Sequence, residues 1–139
     1  MIAQVVATDI NFGIGKNGDL LFHISEDLKR FKELTAGNYV VFGRSTYESL
    51  PYRPLPNRRN VVITSQSDYK VEPNVIVETD FEKMMNNYIQ SGNQDKNLMI
   101  CGGSTIYKQS APYTDKIFMT RLNKEFNSPD TYFPSSILK

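Results

Sequence analysis

At 139 residues, with 40% of them hydrophobic and 22% charged, the chain carries enough apolar material for one core and reads as one soluble domain. A net charge of +1 supplies no field for binding nucleic acid or a membrane surface. The lone cysteine, Cys101, excludes an internal disulfide and fits a reducing, cytoplasmic setting, and with a single histidine it excludes a His/Cys metal centre.

The N-terminus, Met1 to Asp9, has no basic leader, and its apolar run is too short for a signal peptide or a membrane span. Ile2 to Thr8 is β-branched and nearly all apolar, the pattern of a strand buried on both faces. Asp9 to Leu21, with Gly13, Gly15 and Gly18, is expected to be a long flexible loop placed to act as a lid. Ser25 to Leu34 follows as a helix with Ile24, Leu28, Phe31 and Leu34 along one face. Asp27 falls within that apolar stripe. Two readings of it stand: a carboxylate in the first turn behind a Ser25 N-cap, or a buried carboxylate that needs hydrogen-bond donors to meet it.

Tyr39 to Phe42 reads as a second buried strand, and Gly43 to Ser49 as a turn into a short helix. Pro51, Pro54 and Pro56 then impose an irregular passage. Asn60 to Ser65 and Asn74 to Val77 read as strands three and four. Asp80 to Gln90 reads as a helix capped by Thr79 or Asp80, with Phe81, Met84, Met85 and Tyr88 facing inward and Ser91-Gly92-Asn93 breaking it. Leu98 to Cys101 is a further apolar strand that runs into Gly102-Gly103 and a helix start at Ser104, and Lys116 to Leu122 is a last strand. Strands alternating with helices predict an α/β fold with a mainly parallel sheet covered on both faces, and ligands bind such sheets at the carboxyl ends of the strands.

Gly102-Gly103 and Gly43-Arg44-Ser45-Thr46 repeat one arrangement, a glycine turn between strand and helix. Either is a tight turn on its own; together they suit a ligand with a diphosphate and a further phosphate. Thr64, Ser65 and Gln66 add hydroxyl and amide groups at a strand end. His23 reads as a solvated loop histidine, and Cys101 as packing, because no base stands near it in the pattern.

These motifs, in this order and spacing, resemble the dihydrofolate reductase family from Met1 to about Pro134. The resemblance rests on Ile14-Gly15, Asp27-Leu28 with Phe31, Val41 to Ser49, Pro54 to Asn60, Cys101-Gly102-Gly103 with Ile106-Tyr107, and Asp130 to Pro134. It implies a three-layer sandwich and the NADPH-dependent reduction of 7,8-dihydrofolate to tetrahydrofolate by one domain spanning residues 1–139. It also implies roles. Asp27 would accept the pterin amino group and ring N–H, with Thr120 orienting it and Phe22 at the position of an active-site aromatic. Val5, Ala7, Leu28, Phe31, Leu50, Leu55, Cys101 and Tyr107 would line the substrate site. Arg58, with Lys32 or Arg53, would hold the glutamate carboxylate.

On the cofactor side the resemblance implies Ala7 and Ile14 at the carboxamide, Ser45, Thr46, Gly102, Gly103, Ser104 and Thr105 at the diphosphate, and Arg44, Thr64 and Ser65 at the 2′-phosphate. Gly15, Asp19, Leu20, Gly43, Gln66, Ile106 and Tyr107 would also belong to the cofactor site. Three departures stand out. Leu21-Phe22 replaces a usual Pro-Trp; Thr105 replaces a frequent arginine; and the chain stops at Lys139, before the usual C-terminal antiparallel hairpin. The expected state is a monomer that binds dihydrofolate and antifolates. A related pyrimidine reductase and a non-catalytic NADPH- or folate-binding protein are the rival readings; the pyrimidine reductase would not need a carboxylate at position 27.

Overall fold

The computed structural model describes residues 1–16, 19–20, 27–50, 53–92, 96–121 and 131–138, except the side chains of Lys16, Asp19, Leu20, Asp27, Leu28, Ser135 and Ile137. Strand β1 (Ile2–Thr8) is buried at all seven positions, as its composition predicts for a central strand. It is followed by β2 (Gly13–Lys16), β3 (Asp19–Leu20), α1 (Asp27–Thr35), β4 (Tyr39–Gly43), α2 (Arg44–Ser49), β5 (Arg59–Ile63), β6 (Ile76–Glu78), α3 (Phe81–Ser91), β7 (Leu98–Ile100), α4 (Ser104–Ser110), β8 (Lys116–Arg121) and β9 (Thr131–Tyr132).

Six strands form one sheet in the order β6-β5-β4-β7-β1-β8. Every pairing in it is parallel. A second, antiparallel sheet has the order β3-β2-β9. Buried side chains divide by strand alternation into two clusters. One holds Ala3, Val5, Ala7, Phe42 and Met99 with Phe31 of α1 and Tyr47 of α2. The other holds Ile2, Val6, Val41 and Ile100 with Met85 of α3 and Ile106 and Tyr107 of α4. On α1, Phe31 is buried and Leu34 half-buried while Lys29, Arg30, Lys32 and Glu33 are exposed, the sorting expected of an amphipathic helix.

The segment expected to be a flexible loop over Asp9–Leu21 is built otherwise. Asp9 is almost wholly buried, and its Oδ1 accepts from the backbone N–H groups of Asn11 (2.9 Å) and Gly13 (2.7 Å). That carboxylate ties a tight turn leading into β2, which pairs with both β3 and β9. Gly13 and Gly15 therefore report close-packed strands and a turn as much as freedom, while Gly18 lies outside the described residues. Smaller shifts have equally local causes. A turn over Glu72–Val75, with Asn74 at φ 70°, delays β6 to Ile76. The Asn60 amide donates to the carbonyls of Leu55 and Arg58 and accepts from the Leu55 N–H, which fixes the proline-rich passage against β5.

Helix α3 starts where the sequence places it: Asp80 caps it by accepting from the Lys83 N–H (3.0 Å), and Gly92 ends it at φ 62°. The Ser25 cap proposed for α1 lies outside the described residues. Strand β8 is an edge strand, and among the described residues β1 is its only partner. Among those residues no helix is long and apolar enough to cross a membrane.

Candidate active site

The chain order places β7 between β1 and β4, so the carboxyl ends of three strands adjoin at a switch in winding direction. There the two glycine turns meet. The Gly43 N–H donates to the Gly102 carbonyl (2.9 Å), and the Cys101 N–H donates to the Val41 carbonyl (2.9 Å). A methyl group on Gly43 would lie 3.3 Å from Ile106 Cγ1, and one on Gly103 would lie 3.0 Å from Thr46 Oγ1. Gly102 has φ 127°, a conformation that glycine alone adopts readily, and its peptide to Gly103 is cis.

A cleft of about 340 Å³ opens over these turns, lined by Gly15, Gly43, Arg44, Ser45, Thr46, Gly103, Ser104, Thr105, Ile106 and Thr131. Neither α2 nor α4 has a side-chain cap, so the amides of their first turns need solvent or a ligand as partner. Hydroxyls, free amides and one guanidinium suit an anionic, phosphate-bearing ligand. Thr131 belongs to the Asp130 to Pro134 motif but has no site role in the sequence reading; its pairing with Gly15 brings it here.

Arg44 stands at the edge of this cleft in a defined setting. Its Nε donates to Glu48 (3.3 Å), an Nη group donates to Gln66, and its guanidinium lies 4.5 Å above the Tyr69 ring. Gln66 is thus held beside Arg44. The Gln66 N–H donates to Thr64 Oγ1 (3.3 Å), while Ser65 is exposed. The Tyr69 hydroxyl donates to Glu48 (3.0 Å), and burial first, then that bond, raises the phenol above its ordinary pKa.

One face of the sheet carries an apolar wall. Val5, Ala7, Phe31, Leu50 and Cys101 are buried in one cluster, with Leu55 packed against it. Thr120 of β8 pairs in register with Ala7 and is half-buried. Arg58 is half-buried and 5.9 Å from the Phe31 ring centre; it donates to Thr35 Oγ1 (3.1 Å) and to the Pro56 carbonyl (2.8 Å). Among the described residues no carboxylate forms an ion pair with it, and burial lowers its pKa from the ordinary value. Such a guanidinium favours an incoming carboxylate. Lys32 and Arg53 are exposed, and Arg53 lies over the Tyr47 ring.

Two predicted residues are enclosed. The Tyr107 hydroxyl donates to the Val5 carbonyl (2.8 Å) in the interior, and its ring packs on Phe133. Cys101 directs its thiol to the Met99 carbonyl, and burial pushes that thiol's pKa far up, as a packing role requires. Ile14 and Ile106 are buried in the cluster beside the cleft. Position 27 opens α1 one turn before Phe31; its side chain, those of Asp19, Leu20 and Leu28, and all of Phe22 lie outside the described residues. Among the described residues no cluster of His, Cys, Asp and Glu could hold a metal ion.

The family model for dihydrofolate reductase matches residues 1–138. The chain belongs to the dihydrofolate reductase family. A match of that extent carries the family's reductase activity with it. The chain is 37% identical over 134 residues to a dihydrofolate reductase of Bacillus subtilis, covering 96% of this chain and 76% of that one. It is 36% identical over 130 residues to that of Haemophilus influenzae, covering 94% and 76%. The structure of Enterococcus faecalis dihydrofolate reductase complexed with NADP(H) and RAB-propyl superposes with a TM-score of 0.85 at 38% identity, covering 96% of this chain and 77% of that chain.

Proposed function

We propose that the chain reduces 7,8-dihydrofolate to tetrahydrofolate with NADPH, adding hydride at pterin C6 and a proton at N5. The observation that carries this reading is the polar cleft over two hydrogen-bonded glycine turns, on the same sheet as an apolar wall with Arg58 at its rim. The cleft passes a direct test of fit: it joins side-chain-free backbone at Gly43 and Gly103 to the hydroxyls of Ser45, Thr46, Ser104 and Thr105 and the charge of Arg44. When bound, the reduced dinucleotide supplies the hydride.

The chain's own residues do the rest. Ser45, Thr46, Ser104 and Thr105 hold the diphosphate, Ile14, Gly15 and Ala7 border the nicotinamide, and Arg44 with Gln66 and Thr64 meets the 2′-phosphate. Val5, Phe31, Leu50 and Leu55 flank the pterin and benzoyl rings and keep water from them. Arg58 binds the glutamate carboxylate. Asp27 accepts the pterin amino and ring N–H groups and polarises the ring, with Thr120 orienting it, while water delivers the proton to N5. The two clusters on the sheet's faces favour a three-layer sandwich, and the chain is read as a cytoplasmic monomer.

Steady-state oxidation of NADPH with and without dihydrofolate tests the reading. Turnover that requires dihydrofolate is expected. Asp27→Asn should fold and bind cofactor yet lose turnover by roughly a hundred- to ten-thousand-fold, because an amide cannot accept two donors. A variant keeping half the wild-type rate would remove Asp27 from this role.

A further inference from the structure

Arg44 is the only charged residue among those described on the wall of the phosphate cleft. Its guanidinium is held from three sides, by Glu48, by Gln66 and by the Tyr69 ring. Glu48 is the counter-charge in this arrangement. One turn along α2, its carboxylate accepts from Arg44 Nε (3.3 Å) and from the Tyr69 hydroxyl (3.0 Å). It is the only carboxylate in an ion pair among the described residues. The contacts use the Nε edge and part of one Nη group, so the other Nη donors stay available to a ligand.

Gln66 accepts from the guanidinium and Tyr69 stacks on it, both without charge, so they fix its direction and leave its field intact. Glu48 does both things. It holds the direction and it offsets part of the charge that a phosphate dianion would feel. The ion pair is about two-fifths exposed at each side chain, so the offset is screened but not abolished.

We propose that Glu48 is a specificity-determining residue: its carboxylate, paired with Arg44, sets how strongly the cleft prefers a 2′-phosphorylated dinucleotide over the unphosphorylated one. This rests on the reading above, in which Arg44 meets the 2′-phosphate. A neutral 2′-hydroxyl is nearly indifferent to that carboxylate, whereas a dianion is repelled by it. Replacing the carboxylate by an amide of the same shape keeps acceptors for Arg44 and Tyr69 and removes the repulsion.

The test is the dissociation constant of NADPH and of NADH, by fluorescence titration, for wild type, Glu48→Gln and Arg44→Ala. Glu48→Gln should tighten NADPH by about three- to tenfold and leave NADH within about twofold, with the gain shrinking at high salt. A general loosening of the fold would move both cofactors together, so the ratio isolates the charge effect. An unchanged NADPH-to-NADH ratio, or weaker NADPH binding in Glu48→Gln, overturns the proposal. Arg44→Ala should abolish the wild-type preference. If it does not, the 2′-phosphate reading and the proposal fall together, whereas loss of preference in Arg44→Ala with no gain in Glu48→Gln removes the proposal alone.

Discussion

Tyr47 gives the most direct check on what holds the phosphate cleft in shape. Its ring is buried, yet its hydroxyl reaches Glu72 Oε1 at 2.6 Å, which ties α2 to the connection between β5 and β6. Burial, then the Glu72 bond, raises the Tyr47 phenol well above its ordinary pKa; the same bond is the main influence that lowers the Glu72 carboxyl from 4.5. Tyr47→Phe deletes one hydrogen bond to a charged acceptor, a class worth roughly 1.5–3 kcal/mol. Glu72 is half-exposed and solvent competes for it, which lowers the value to the bottom of that range or just beneath it, about 1–1.5 kcal/mol. For a domain of this size that is a fall of roughly 3–6 °C in melting temperature at pH 7. The sign with pH follows from linkage. A carboxyl whose folded pKa is depressed contributes stability that is present above its unfolded value and lost as pH falls through the folded value. The deficit of Tyr47→Phe should therefore be full at pH 7 and shrink once pH drops below 4.5, as Glu72 protonates in the wild type. Melts of wild type, Tyr47→Phe, Glu72→Gln and the double variant across that interval measure it. A deficit independent of pH, or single-variant costs that simply add, would refute the coupling.

Gly103→Ala should weaken NADPH binding and lower stability by about 1–3 kcal/mol, the cost of overpacking, because the new methyl meets Thr46 Oγ1 at 3.0 Å; titration and melts read the two effects. Sedimentation of the free chain at micromolar concentration should show a monomer. A dimer forming with concentration would point to pairing along the outer edge of β8, which has no strand partner among the described residues.

How far the residues announced this site differs from part to part. The strands were legible because β1, β4 and β7 are continuous apolar runs, and a strand buried on both faces needs nothing else. The helix of Asp80 was legible because capping is local. Where the Asp9–Leu21 segment is described, its strands were not legible because they are held from afar: β2 is held by β9, and the buried Asp9 carboxylate closes a turn that its composition presents as a polar loop. The same distinction runs through the site. Ser45, Thr46, Ser104 and Thr105 declare themselves by following strand-end glycines.

Arg44 declares its charge, but its direction depends on Tyr69 and Gln66, which arrive from beyond β5, and its field on Glu48, which looks like an ordinary helical i,i+4 partner until Tyr69 also claims it. Topology decides which distant pieces meet. Had β7 joined the sheet at an edge, Gly43 and Gly102 would stand on separate strands with no shared floor. By entering between β1 and β4 it brings the Gly43 N–H onto the Gly102 carbonyl, and two unremarkable turns become one cleft. On the proposed reading, cofactor selectivity is then a matter of how much of Arg44's single charge the surrounding side chains leave unopposed, and that is a property of the pairings rather than of any one motif.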